Sequence, residues 1–228
     1  MIIIKTGTDL GRIILRDIDN FIGQKLDGNY FHRADLSNFN FTKTEFKNVE
    51  LRNAFLDGTM CMETKFIKCM LIMTSFKNAY FQDAVFIDSK LNHAEFINSC
   101  LISCIFKDNR YSKEYDLNLE FTNCNLYKSQ FENNSFVKSI FKNSNLSKTV
   151  FTDNDLSKSQ FNNSNLENCI FKNNNLSECS FVNSNIKNVN FEKCELRDVD
   201  FSGAIYNSHT NFSEIFSESN LEKMIYVD

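Results

Sequence analysis

Eight cysteines and three histidines are the residues of this 228-residue chain best suited to chemistry, as nucleophiles or as metal ligands. Their spacing supports neither role. No Cys-x2-Cys pair occurs, and Cys100 and Cys104 lie four apart with no second pair to complete a zinc set. His32, His93 and His209 sit in unrelated contexts, and none accompanies a nucleophile. Six scattered glycines cannot build a loop that cradles phosphate. The expectation is a chain without catalytic, cofactor or metal site, and therefore not an enzyme.

The elements that hold these residues explain the spacing. From Phe141 to Phe201 a bulky apolar residue recurs at every fifth position: Phe141, Leu146, Phe151, Leu156, Phe161 and onward. Over the whole chain 21 of the 24 Phe residues share this register, where chance would give about five. Of the register positions from Phe21 to Tyr206, only Asp116 is charged. The residue two places before each bulky one is also restricted, mostly to Ala, Ser, Thr, Cys, Val or Asn, and six of the eight cysteines fall there. Those six are best read as small buried hydrophobes.

A step of five fits neither a helix, where it rotates the side chain by roughly 140°, nor a straight strand, where an odd step reverses the face. The chain must turn a corner once per repeat. Small in, polar out, large in and two corner residues make one side of a polygonal coil. The ten-residue alternation of Phe and Leu from 141 to 201 demands an even number of sides. Four sides and a coil of about 20 residues leave room for the large side chains, and stacked coils should rise about 4.8 Å each.

The units ADLSN at Ala34 to Asn38, SNLSK at Ser144 to Lys148 and SNLEN at Ser164 to Asn168 resemble the repeats of pentapeptide-repeat proteins. The resemblance covers about four-fifths of the chain. It implies an all-β fold, a right-handed quadrilateral parallel β-helix of about nine coils, closed by terminal caps.

In chain order, residues 1–20 lie off the repeat, and Ile2 to Ile4 and Ile13 to Leu15 read as a capping hairpin. The repeat runs from 21 to 206, and 207–228 read as an irregular last coil or cap. Leu56 to Glu63 is looser, with Gly58 suggesting a distorted corner or a short projecting loop. The main break is Asp108 to Glu120, where Glu114 and Leu119 fall on small inward positions that no coil is expected to bury without strain. Upstream, Phe prefers positions ending in six, and from Phe121 onward positions ending in one. Straight Phe columns therefore require one extra pentapeptide to loop out, so that Cys104 and Cys124 are not vertical neighbours.

The outer face and charge bear on partners. Asn125, Asn145, Asn165 and Asn185 should form one ladder, and Lys128 should stack on Lys148 and Lys138 on Lys158. A net charge of -4 argues against direct nucleic-acid binding. The N-terminal Met1 to Ile4 is too short an apolar run for a signal peptide or membrane anchor, so a cytoplasmic protein with free thiols is expected. The expected role is an interaction scaffold for a protein partner, with Arg110, Tyr111, Lys113, Glu114, Tyr115 and Asp116 as candidate partner-binding residues. The resemblance implies a narrower alternative, a DNA mimic that binds DNA gyrase or topoisomerase IV and protects it from quinolones. Association into a homodimer through a solenoid end is a further expectation.

Overall fold

A computed structural model describes residues 21–110, 118–212 and 221–228. The expected hairpin at 1–20 lies outside the described residues. Nine three-residue strands form one parallel sheet in sequence order. They are β1 (Lys25–Asp27), β2 (Glu45–Lys47), β3 (Lys65–Ile67), β4 (Val85–Ile87), β5 (Ile105–Lys107), β6 (Gln130–Glu132), β7 (Val150–Thr152), β8 (Ile170–Lys172) and β9 (Asn190–Glu192). A second parallel pair joins β10 (Ile205–Tyr206) to β11 (Ile225–Tyr226). The other three sides repeat the pairing as single bridges, such as Asn125↔Asn145, Asp155↔Asn175 and Gln160↔Ser180. Each coil of 20 residues is thus hydrogen-bonded to the next on all four sides. Among the described residues no helix is long and apolar enough to cross a membrane.

The five-residue unit solves a hydrogen-bond problem at each corner. The large residue's carbonyl accepts the amide three residues on, as in Thr149 N to Leu146 O at 3.0 Å. The second corner residue is left-handed, for example Asn143 at φ 55° and Asn163 at φ 58°. Asn, Asp and Gly tolerate that region best, which accounts for their frequency there. Gly58 is such a corner residue, at φ +67°, and its position is neither distorted nor projecting: Gly58 N bonds Lys77 O at 2.8 Å in the ordinary ladder. A Cβ there would come within 2.5 Å of Asn38 Oδ1, so a larger residue would have to displace that side chain.

Inside, the large residues form four columns. Phe fills two opposite ones from Phe46 and Phe76 onward, after Leu26 in one and Leu36 and Leu56 in the other. In the sheet column Phe131, Phe151 and Phe171 stack with centroids 4.7 Å apart, and across the coil Phe141 and Phe161 stack at 4.8 Å. The two stacks meet edge to face, as Phe151 meets Phe161 at 6.0 Å and 88°. Both geometries suit the ring quadrupole. Leucine occupies much of the other two columns, including Leu146, Leu156, Leu166 and Leu176, all fully buried.

The small inward residue turns out to be a donor as well as a filler. Ser164 Oγ donates to Phe141 O of the previous coil at 2.6 Å and accepts Ser144 N at 3.1 Å. Thr64 and Cys169 donate in the same way, to Phe41 O and Leu146 O. A short polar side chain therefore brings a second donor to a buried corner carbonyl, such as Leu146 O or Phe41 O, which already accepts the amide three residues on.

Candidate functional site

The register changes once within the nine-stranded sheet. Neighbouring strands pair at a spacing of 20 residues except β5 and β6, where Ile105 pairs with Gln130 and Phe106 with Phe131. Glu95↔Glu120 and Cys100↔Asn125 show the same spacing of 25. Five residues more than a coil requires are thus accommodated here, as straight Phe columns demand. Phe106 stacks on Phe131 at 4.8 Å and 3° without a break. Cys104 N reaches Ser129 Oγ, and Cys124 N reaches Ser144 Oγ, so Cys104 and Cys124 are not stacked.

The chain leaves the coil after Asn109, which is fully buried and held on both sides. Its amide nitrogen donates to Phe86 O at 2.9 Å and to Asn134 Oδ1 at 3.0 Å, while its Oδ1 accepts Ser89 N at 2.9 Å. Asn134, Asn154 and Asn174 continue this ladder down the interior, each amide donating to the carbonyl of a Phe one coil earlier. Outside, Asn133 Nδ2 holds Asp108 at 2.7 Å and Lys107 pairs with Glu132 at 2.7 Å. The chain returns at Leu119, which is fully buried at a small inward position. This corrects the expectation that no coil could take it. Its neighbours along the column, Ala94 and Ser139, are small enough to leave the room.

Of the six candidate partner-binding residues, Arg110 is exposed at the point of departure. Tyr111, Lys113, Glu114, Tyr115 and Asp116 lie outside the described residues. On the same side, the corner residues Ile72 and Asn92 are buried, unlike most residues at that position of the repeat.

Elsewhere the described surface carries pairs and ladders of polar side chains. Cys61, Cys69, Cys124 and Cys179 are buried, and loss of solvation pushes each thiol up to about 12. Cys100 alone is part-exposed, and burial raises it too. No group of metal-binding side chains converges among the described residues. Asn145 Nδ2 donates to Asn125 Oδ1, and Asn185 Nδ2 to Asn165 Oδ1, both at 3.1 Å, within the predicted outer ladder. Lys128 and Lys148 both lie over the Tyr127 ring, at 5.2 and 5.6 Å from its centre. Lys158 does not merely face Lys138; it pairs with Glu178 at 3.5 Å.

Comparison with known proteins agrees with this architecture. A family profile described as Pentapeptide repeats (8 copies) matches residues 25–60, 71–108 and 118–153, and one described as Pentapeptide repeat region matches residues 154–224. No curated protein matches the sequence. Among solved structures, HetL from the cyanobacterium Nostoc sp. strain PCC 7120, a pentapeptide repeat protein involved in heterocyst differentiation regulation, is 14% identical with a TM-score of 0.62. The match covers 84% of this chain and 92% of HetL. QnrB1, a plasmid-mediated fluoroquinolone resistance protein, is 16% identical over 79% of this chain and 92% of its own, with a TM-score of 0.43. With repeats matched over most of its length and a four-sided parallel β-helix built from them, the chain belongs to the pentapeptide-repeat family.

Proposed function

We propose that this chain is a non-enzymatic scaffold that engages a protein partner through the side of the rod where the register changes, with Arg110 and the residues up to Asp116 at the contact. The observation that carries the proposal is the 25-residue spacing between β5 and β6. A regular solenoid gains nothing in stability from an extra pentapeptide, yet here the coil is held rigid on both sides of it, by Asn109 before and Leu119 after. A rigid frame around a non-repeating segment is how folds generally present binding residues.

Surface charge favours this general reading over DNA mimicry. Lys43–Glu63, Lys107–Glu132, Lys158–Glu178 and Lys172–Glu192 each join one coil to the next. Opposite charges therefore alternate along the rod instead of forming the continuous acidic stripe that a duplex mimic needs.

The test replaces Arg110 with a photo-crosslinking amino acid, with Lys25 as a control position on another side. Crosslinking to a defined partner at position 110 and not at 25, abolished by deleting Tyr111 to Tyr115, is the expected result. Equal labelling at both positions would refute the assignment. The same proteins added to a gyrase supercoiling assay, with and without a quinolone, separate the alternative. Protection lost on the five-residue deletion would establish topoisomerase binding in place of the general reading.

A further inference from the structure

The nine-stranded face carries an outward ridge formed by the residue before each buried one. In its middle the ridge is aliphatic except for a central Gln130: Val85, Ile105, Gln130, Val150 and Ile170 follow at successive coils. Ile170 is 42% exposed and the other three aliphatics are part-exposed. Ile67 and Ile87 widen the strip at the next position along β3 and β4. Isolated apolar side chains on a surface need no explanation, but a contiguous strip on a flat sheet does.

The ridge reads alike in both directions from Gln130, with two aliphatics on each side. We infer that this face packs against the same face of a second copy of the chain, the two rods antiparallel, with a two-fold axis passing at Gln130. That operation sets Ile105 against Val150 of the second copy, Val85 against Ile170, and the two Gln130 amides against each other, where they can exchange hydrogen bonds. Beyond the apolar strip Lys65 meets Asn190, and on the flank Asp88 meets Asn173 while Ile87 meets the Lys172 side chain. Parallel rods would instead set Lys65 on Lys65 and Glu45 on Glu45.

Like-charge contacts arise near the axis, Lys128 and Glu132 with their own copies and Asp108 with Asp153. Each is moderated within the chain, Lys128 by the Tyr127 ring at 5.2 Å, Glu132 by Lys107 at 2.7 Å, Asp108 by Asn133 at 2.7 Å and Asp153 by Asn173 at 3.0 Å. The two-fold at β6 overlaps seven strands, β3 to β9, which at about 4.8 Å apart and about five residues wide offer roughly 500 to 600 Å² per copy. A standard stable interface uses about 800 Å² per partner, so a weak, concentration-dependent dimer is expected.

The test uses the full chain in a Cys100→Ser background, which removes the one part-exposed native thiol. Gln130→Cys places a thiol on the axis, and Gln160→Cys places one on the opposite side of the rod as control. Under mild oxidation Gln130→Cys should form a covalent dimer at least about tenfold faster than Gln160→Cys. Light scattering at about 100 µM should report twice 26.6 kDa for the native chain. Ile105→Lys, a change on the exterior, should weaken the dimer at least about tenfold with an unchanged thermal melt. A monomer at that concentration, with equal crosslinking of the two variants, would overturn the inference and leave the ridge to a different protein. A dimer that survives Ile105→Lys and does not crosslink through position 130 would equally overturn it, and would place the contact elsewhere, such as a solenoid end.

Discussion

Replacing Asn154 with alanine tests whether the small inward position acts as a hydrogen-bond donor or only as a space filler. In the native chain Asn154 Nδ2 donates to Phe131 O at 2.9 Å and to Asn174 Oδ1 at 3.0 Å. Asn154 Oδ1 accepts both Asn134 N, at 2.9 Å, and Asn134 Nδ2, at 3.0 Å. Alanine leaves a buried carbonyl, a buried amide and two side-chain groups without these partners. A buried group stripped of its partner costs about 1 to 3 kcal/mol, and partial relaxation should bring the sum to about 3 to 5 kcal/mol. Asn154→Ser separates donor from volume. Ser89 in the same column already donates to Phe66 O and accepts Cys69 N at 3.0 Å, so a serine at 154 can restore the two backbone bonds. Its cost should stay below about 2 kcal/mol. Urea unfolding, followed at equilibrium with the slope of the transition checked for constancy, gives both numbers. Equal losses for Ala and Ser, or a loss under about 1 kcal/mol for Ala, would refute the donor role.

The remaining predictions concern the rings and the thiols. Phe161→Ala empties a site stacked on Phe141 and Phe181 at 4.8 Å and edge-on to Phe151 and Phe171, and should cost about 3 to 5 kcal/mol in the same assay. A loss under about 1 kcal/mol would mean that the coils collapse around the gap. Cys61, Cys69, Cys124 and Cys179 are pushed up to about 12 by burial from an ordinary 9.0. Because the folded value is the higher one, their contribution is complete below pH 9 and is lost as pH rises toward 12. The slope per thiol rises from half its full size at pH 9 toward about 1.4 kcal/mol per pH unit above it, so the four together give a loss of roughly 4 kcal/mol between pH 9 and 10. Stability unchanged over that interval would refute the buried assignment. In native buffer Cys100 should be the first thiol to react with a disulfide reagent, and prompt reaction of the other seven would contradict their burial.

The fold was legible because one spacing carried two kinds of information. The period of five forced a corner, and the Phe and Leu alternation counted the sides. The Phe phase across Asp108 to Glu120 even gave the size of the register change, which the pairing of Phe106 with Phe131 matches. Reading stopped where residue type was treated as size. Asn134, Asn154 and Asn174 stand 20 apart at the small inward position, and that spacing was available as a signal of an interior amide ladder. The wish for a small residue concealed the need for a donor. Leu119 was misjudged for the converse reason, since a position restricted on average can hold a large side chain wherever its neighbours along the column are small. Gly58 was read as a break because glycine usually marks one, whereas the corner used it to let Asn38 approach.

The candidate site was legible only as a departure from the repeat, for a physical reason. In a solenoid every coil imposes the same demands on its inward residues, so the sequence records the scaffold many times over and the partner surface once at most. Outward residues answer to no such demand. Lys43, Lys107, Lys158 and Lys172 find acidic neighbours one coil away, while Val85, Ile105, Val150 and Ile170 gather with one another and with Ile67 and Ile87. A run of aliphatic residues along one ridge is therefore a departure from the mixed surface pattern, as the extra pentapeptide is from the core pattern. The ridge and the register change coincide at β5 and β6. The proposed pairing through the sheet face is compatible with the proposed partner contact only if Arg110 stays clear of the second copy, which crosslinking at position 110 in the dimer would test.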